Sequence, residues 1–96
     1  MDPSKTTPTY TEDAPWEIIG KVACPNCDVV KEALESVGIK YVVTKTFDAD
    51  EEGKPERVKA LEKGNTKYFP VVYDSTGKPV GSKANVLRFV RSYEDN

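Results

Sequence analysis

No histidine occurs anywhere in the chain, and cysteine occurs only twice, at Cys24 and Cys27. The missing histidines exclude a Cys-His nucleophile, every histidine metal ligand and the C-x-x-C-H haem motif. Two thiolates alone cannot complete a tetrahedral zinc site within one chain, and no second C-x-x-C supplies the remaining ligands. We therefore expect no metal to be held by a single copy of the chain.

Long apolar runs are also missing. No stretch approaches the roughly 18 apolar residues of a membrane helix, and residues 1–15 lack the apolar core of a signal peptide. The net charge of -2 and the pI near 5.2 give no electrostatic reason to bind nucleic acid or an anionic membrane. We expect a cytoplasmic monomer with neither partner. Cytosolic thiols are kept reduced, so a transient disulfide is favoured over a permanent one.

The residue pattern predicts one α/β domain over residues 15–96, preceded by a flexible tail over residues 1–14 that is rich in Thr and Pro. The expected element order is β-α-β-α-β-β-α, with a parallel pair of strands, an antiparallel hairpin and helices covering the sheet. Strands are expected at 16–22, 39–47, 68–73 and 78–80, and helices at 25–37, 55–63 and 82–93.

Apolar residues at helical spacing give each predicted helix an apolar face, and the second helix is expected to be short and mostly exposed. Gly38 and Gly64 are expected to end the first two helices, and Ser82 or Asn85 to cap the third. The three apolar faces are Val30, Ala33, Leu34 and Val37, then the thin stripe of Val58 and Leu61, then Val86, Leu87, Val90 and Tyr93.

The two cysteines fall at the junction between the first strand and the first helix. A thiol attacks as its thiolate, which the amide groups and positive dipole end of a helix N-terminus favour, so Cys24 is the expected nucleophile. Cys27, one turn further on and more buried, is placed to attack a mixed disulfide formed at Cys24 and is the expected resolving thiol. Pro25 restrains the turn between them, and Lys21 adds a favourable charge.

The C-x-x-C spacing alone leaves other interpretations open. The pair is consistent with half of a metal or iron-sulfur site shared between two chains, or with chance placement of two buried residues. The βαβ setting and the lack of further Cys or His favour the redox interpretation.

Three segments together resemble a glutaredoxin. They are K-V-A-C-P-N-C at 21–27, Y-F-P at 68–70 and P-V-G-S-K-A-N at 79–85, and the resemblance covers residues 16–93 and is closest to short phage and bacterial glutaredoxins. It implies a thioredoxin fold whose four-stranded mixed sheet is flanked by helices. It also implies a disulfide oxidoreductase with glutathione as co-substrate and no bound cofactor, which reduces protein disulfides and glutathione mixed disulfides.

The resemblance also implies roles for individual residues. Lys21 matches the charge partner of the nucleophile, Pro70 the cis-proline beside the active site, and Phe69 the residue whose backbone binds glutathione. Lys21 and Pro70 are also expected to contact glutathione, and the remaining contacts expected at matching or nearby positions are Lys67, Gly81, Ser82 and Asn85. The chain departs from the family pattern at Asn26, Tyr68, Ser82, Ala84 and Asn85, and the last two replace a pair of aspartates.

Two other functions share this cysteine chemistry. One is a thioredoxin-like reductase that a flavoprotein recharges, and the other is a carrier that holds an iron-sulfur cluster between two monomers. Expected partners are glutathione and disulfide-containing clients, among which the resemblance suggests ribonucleotide reductase.

Overall fold

A computed structural model describes residues 8–48 and 54–94 of the 96-residue chain. Its element order is the predicted β-α-β-α-β-β-α. Within the described segments, no helix combines the length and the apolar composition needed to cross a membrane. The elements are β1 (Trp16–Lys21), α1 (Pro25–Ser36), β2 (Tyr41–Phe47), α2 (Pro55–Lys63), β3 (Val71–Tyr73), β4 (Pro79–Gly81) and α3 (Lys83–Glu94).

The four described strands form one mixed sheet in the order β2-β1-β3-β4. Strand β1 pairs with β2 in parallel, and β3 pairs antiparallel with both β1 and β4. The parallel pair contains an irregularity, because Ile18 lies opposite Val43 whereas Ile19 lies opposite Lys45. One extra residue of β2 is therefore accommodated there as a bulge. The predicted parallel pair and hairpin are both confirmed.

Helix α1 begins and ends where local sequence signals place its boundaries. Cys24 is its N-cap in extended conformation, and Pro25 follows in the first turn, where proline lacks only an N–H that would have no helical partner. Gly38, just past the end, has a φ of 76°, which glycine adopts without steric cost. Of the predicted apolar face, Val30 and Leu34 are fully buried.

The sheet separates two buried clusters. On one face, α1 and α3 cover Ile18 and Val72, together with the fully buried Trp16. On the other face, α2 packs Ala60 and Leu61 against a cluster that contains Val71. Alternate residues of a strand face opposite sides, so neighbours in β1 and β3 serve different clusters. This arrangement gives the sheet helices on both faces, as expected.

Two details of the predicted helix faces are wrong. Val58 of α2 is 45% exposed and Tyr93 of α3 is 40% exposed. Their places in the cores are taken by Ala60 and by Phe89, whose ring centroid lies 5.2 Å from that of Trp16. Ala60 and Leu61 make the contact of α2 with the cluster, and no residue of this helix is buried, which agrees with the short, mostly exposed helix that the sequence predicts.

The segment before β1 is attached to the domain rather than separate from it. The Thr9 carbonyl accepts bonds from the Trp16 indole N–H at 3.0 Å and from the Ser75 N–H at 3.0 Å. The Tyr10 hydroxyl accepts a bond from the Lys40 N–H at 3.1 Å. Contacts with residues distant in sequence therefore hold Thr9 and Tyr10 against the domain. Residues 1–7 lie outside the described residues.

Candidate active site at the thiol pair

The chain turns sharply between the end of β1 and the start of α1. The N–H of Val22 still donates to the Phe47 carbonyl at 2.9 Å, which continues the strand pairing for one residue beyond Lys21. Ala23 then adopts a φ of 52°, in the left-handed region that non-glycine residues seldom occupy. This turn delivers Cys24 directly to the N-cap position of α1. The predicted strand-to-helix junction is confirmed.

Cys24 and Cys27 are joined by a disulfide, with their Cα atoms 5.3 Å apart. The Cys27 N–H points at the Cys24 sulfur over 3.1 Å. The Cys24 carbonyl accepts bonds from the N–H groups of Cys27 and Asp28 at 3.1 and 3.3 Å. An amide aimed at Cys24 Sγ, at the positive end of the helix dipole, favours negative charge on that sulfur when the pair is reduced.

Both cysteine residues are buried, Cys27 slightly more than Cys24. Cys24 is 8% exposed and Cys27 is 3% exposed, so the difference has the predicted direction. The residues around Cys24 are open to solvent, since Val22, Ala23 and Pro25 are all exposed. The exposed surface next to the thiol pair is therefore formed by the residues that flank Cys24.

Two phenylalanines form the buried wall beside the thiol pair. Phe47 and Phe69 belong to the same cluster as both cysteines, and their ring centroids lie 5.6 Å apart. The peptide bond between Phe69 and Pro70 is cis, as the resemblance implies, and Pro70 is fully buried. The side chain of Phe69 is thus part of the core. Phe47 was not among the predicted site residues, because only the tertiary structure brings the end of β2 here.

Positively charged residues lie close to these two phenylalanines in the fold or in the sequence. Lys21 ends β1 opposite Phe47 and is half-buried, whereas Lys67 is exposed in the segment before β3. Arg57 of α2 places its guanidinium 5.2 Å from the centre of the Phe69 ring, a favourable cation-π distance. Arg57 was missed by the sequence analysis because no local pattern relates it to Phe69. It brings a fixed positive charge to the residue expected to bind glutathione through its backbone.

The start of α3 lies at the same end of the sheet as the thiol pair. Gly81 ends β4 and pairs with Val72, the neighbour of Val71 in the cysteine cluster. Gly81 has a φ of 105°, and a Cβ there would overlap the side-chain amide of Asn85. Glycine is therefore required at this position for two independent reasons.

The predicted binding residues on α3 behave differently from one another. Ser82 is exposed, and its carbonyl accepts the first helical bonds from Asn85 at 3.0 Å and Val86 at 3.2 Å. Ser82 therefore occupies the predicted cap position. The Asn85 amide instead donates to the Val80 carbonyl at 3.2 Å. Asn85 thus fastens α3 to β4, which leaves its amide N–H group less free for a ligand than expected.

No grouping of three or more His, Cys, Asp or Glu side chains suited to a metal ion occurs in the described parts of the chain. The reactive groups that the structure places at this site are the two sulfurs, which are linked to each other. A reversible disulfide at an accessible helix N-terminus can accept and release two electrons.

A scan against protein-family models found no match, and searches of the curated proteins and of the solved structures also matched nothing. The fold and site define a mixed α/β protein with a C-x-x-C disulfide at the start of its first helix. Element order and sheet arrangement are compatible with a thioredoxin-like fold.

Proposed function

We propose that the protein is a glutaredoxin-type thiol-disulfide oxidoreductase with a thioredoxin fold, acting through Cys24 and Cys27. The observation that carries the proposal is the position of the disulfide, with Cys24 as N-cap of α1 and the Cys27 N–H donating to its sulfur. This arrangement stabilises the thiolate of the more accessible cysteine, which is the group that must attack.

The reaction transfers two electrons from the dithiol to a client disulfide. The Cys24 thiolate attacks one client sulfur, and the other leaves as a thiolate that takes up a proton. Cys27, once deprotonated, attacks the Cys24 sulfur, which forms the Cys24–Cys27 disulfide and releases the second client thiol. Two glutathione molecules then restore the dithiol and leave as oxidised glutathione.

Glutathione as electron donor is supported by the first half of the expected binding site. Phe69 and Pro70 border the cysteine cluster, and Lys21 and Arg57 supply positive charge close to its phenylalanine wall. Helix α3 begins at Lys83, and the N–H groups at the start of a helix lack partners within it and favour a carboxylate. Lys67 is exposed, and its positive charge can pair with a ligand carboxylate.

The second half of that site supports a different donor. Ala84 has no polar group, and the Asn85 amide is bonded to the Val80 carbonyl. The ammonium group of glutathione would therefore find no carboxylate there. This favours, as the second candidate, a thioredoxin-like reductase that draws electrons from a flavoprotein. In either case the proposed setting is the reducing cytoplasm, where a cycling disulfide is favoured, and ribonucleotide reductase is a proposed client.

The test compares two electron donors on one protein sample. The oxidised protein is supplied with glutathione, glutathione reductase and NADPH, or with a flavoprotein thioredoxin reductase and NADPH, and NADPH consumption is followed with insulin disulfides and with a glutathione mixed disulfide. Turnover with glutathione supports the proposal. Turnover only with the flavoprotein selects the second candidate, and turnover with neither contradicts both.

A carrier of an iron-sulfur cluster is distinguished separately. Protein purified without oxygen is examined for visible absorbance and bound iron. A colourless, iron-free sample that turns over disulfides agrees with the proposed oxidoreductase, whereas a brown sample without turnover would select the carrier.

A further inference from the structure

Gly20 lies inside β1 at a position where the strand pattern calls for an apolar side chain. Alternate residues of the strand face the same side, and Trp16 and Ile18 on that side are fully buried. Gly20 is also buried, so its lack of a side chain is not a response to solvent. Glycine weakens a strand interior and often marks a close approach of another group. The absence of a side chain at position 20 therefore needs a structural explanation.

That reason is the sulfur of Cys27. A Cβ placed on Gly20 would lie 3.1 Å from Cys27 Sγ and 3.9 Å from Cys27 Cβ. Within the described residues, no atom of any other residue beyond the chain neighbours comes within 4 Å of that point. Optimal separations between non-bonded carbon atoms are about 3.5 to 4.0 Å, and sulfur is larger. The space that a methyl group would need is thus occupied by Cys27 alone.

Cys27 is held from the opposite side by the first turn of α1. Its N–H is bonded to both the carbonyl and the sulfur of Cys24, and Pro25 fixes the start of the helix. The backbone of Cys27 therefore cannot retreat from β1 without breaking the turn that positions the nucleophile. A methyl group at position 20 would instead displace the Cys27 sulfur by a few tenths of an ångström.

From this geometry we infer that Gly20 is a positioning residue for the resolving thiol, an inference that rests on the proposed oxidoreductase function. It leaves the space in which Cys27 Sγ is aligned with Cys24 Sγ. The step concerned begins with Cys24 bound to a client sulfur. The Cys27 thiolate forms the bond to Cys24 Sγ, the bond from Cys24 to the client breaks, and the client leaves as a thiolate and is protonated. Gly20 acts on this second step and not on the first.

The test is Gly20→Ala, followed by rapid mixing of the reduced protein with a limiting amount of an aromatic disulfide whose thiolate absorbs visible light. Attack by Cys24 releases one equivalent of the coloured thiolate, and attack by Cys27 releases the second. We expect the second phase to slow by about three- to tenfold, since small misplacements of reacting atoms reduce rates steeply. The first phase should be unchanged. Ile18→Val, which removes a methyl group from the neighbouring core position of β1, should change neither phase.

Equal slowing of both phases would overturn the inference, because Gly20 would then act only through general stability, and an unchanged second phase would overturn it as well. The aromatic disulfide requires neither glutathione nor a client. Failure of the proposed function would therefore appear as absent turnover in the donor assays while the two coloured phases persist, and failure of the inference would appear in the phases themselves.

A second measurement covers the case in which Gly20→Ala folds poorly. Midpoints of urea unfolding are compared for Gly20→Ala in the reduced chain and in a Cys27→Ala chain, where the sulfur is absent. Destabilisation with Cys27 present, and a neutral or stabilising effect without it, support the inference, because alanine restricts the unfolded chain more than glycine does. Equal destabilisation or failure to fold in both backgrounds would overturn it.

Discussion

At one end of the sheet β1 leads into Cys24 and β3 begins after Pro70, whereas at the other end β3 leads into Asp74 and β1 begins beside Thr9. We call these the thiol end and the Asp74 end. Among the described residues at the thiol end, the side-chain hydrogen bond at the sulfurs runs from the Cys27 N–H to Cys24 Sγ. The Asp74 end is bound by a dense set of hydrogen bonds.

Asp74 is 5% exposed, and both oxygens of its buried carboxylate accept hydrogen bonds. One oxygen accepts the Thr9 N–H at 3.0 Å, and the other accepts the Thr76 N–H at 2.9 Å, the Thr76 hydroxyl at 2.7 Å and the Lys78 N–H at 3.1 Å. Burial raises the pKa of Asp74, but these hydrogen bonds outweigh it and the net pKa lies below its ordinary value. At the Asp74 end polar groups hold distant segments together, whereas at the thiol end the Cys27 N–H is directed at the sulfur to which we assign the proposed reactivity.

The strongest test of this contrast is at the thiol end. Cys24→Ser should abolish disulfide exchange, because the attacking thiolate is gone. Cys27→Ser should lose reduction of protein disulfides by the two-thiol route but keep exchange with small glutathione mixed disulfides. Turnover of both variants on both substrates measures this, and unfolding midpoints of the two reduced variants should agree. Equal activities of the two variants on every substrate would refute the assignment of roles.

At the Asp74 end, Asp74→Ala should lower the free energy of unfolding by about 2 to 4 kcal/mol, because three partly buried N–H groups lose their acceptor. Urea denaturation measures the loss. Glu32→Ala, which removes an exposed carboxylate from α1, is the control and should change stability by about 0.5 kcal/mol or less. The rates of thiol exchange in the folded variant should stay at the wild-type level. A change in those rates would mean that the two ends are coupled.

The pH dependence sharpens the same test. Because the pKa of Asp74 is lowered in the folded protein, its contribution is fully present above the unfolded pKa of about 3.9. It is lost as pH falls through the lower, folded pKa. The stability difference between the wild-type protein and Asp74→Asn should therefore shrink below about pH 4. A difference that stays constant down to pH 2 would contradict this account.

A smaller effect is expected from restoring a carboxylate near the thiol end. Ala84→Asp should strengthen glutathione binding by about 1 kcal/mol, roughly fivefold, because an ionised acceptor can pair with the ligand ammonium. Asn85 is left unchanged in this variant, since an aspartate there could not donate to the Val80 carbonyl. Titration of glutathione into Cys27→Ser protein, with and without Ala84→Asp, measures the gain. Ala84→Asn, which is similar in shape and uncharged, should give less than half of it.

The smallest effect concerns the Asp74 end again. The Tyr41 hydroxyl donates to a Glu35 carboxylate oxygen at 2.5 Å, and that hydrogen bond, followed by burial and the negative charge of Glu35, raises the pKa of Tyr41 to about 12. Tyr41→Phe should cost about 0.5 kcal/mol at neutral pH, since the pair is exposed. Because the folded pKa is raised, this contribution is present below pH 10 and is lost between pH 10 and about 12.

Tyrosinate absorbance measures the Tyr41 titration as the difference between wild-type protein and Tyr41→Phe. Glu35→Gln provides the control, because it removes the charge and weakens the acceptor, and it should move that titration to lower pH. A Tyr41 titration unaffected by Glu35→Gln would show that burial, and not the hydrogen bond, sets the pKa.

The thiol end was predictable because its signals are local in sequence. The spacing of Cys24 and Cys27 and the position of Pro25 specify the start of α1 without reference to the rest of the chain. The cis bond before Pro70 followed from the family resemblance and not from the local pattern.

The Asp74 end was not predictable because its contacts join residues far apart in sequence. Thr9 and Asp74 are 65 positions apart, and a segment rich in Thr and Pro gives no periodic signal that it will be held. The same limit hid the contact of Arg57 with Phe69. The register of α2 was misjudged at Val58 because two apolar residues do not define a helix face.

The burial of Trp16 gives the protein an internal optical reporter. It is the one tryptophan of the chain, it is fully buried, and its indole N–H is bonded to the Thr9 carbonyl. Its fluorescence emission should therefore shift to longer wavelength when the Asp74 end opens and the indole meets water. In the reduced protein, where Cys24 is a free thiol, the rate of its alkylation reports on the opposite end. The two signals allow the opening of each end of the sheet to be timed separately in a single sample.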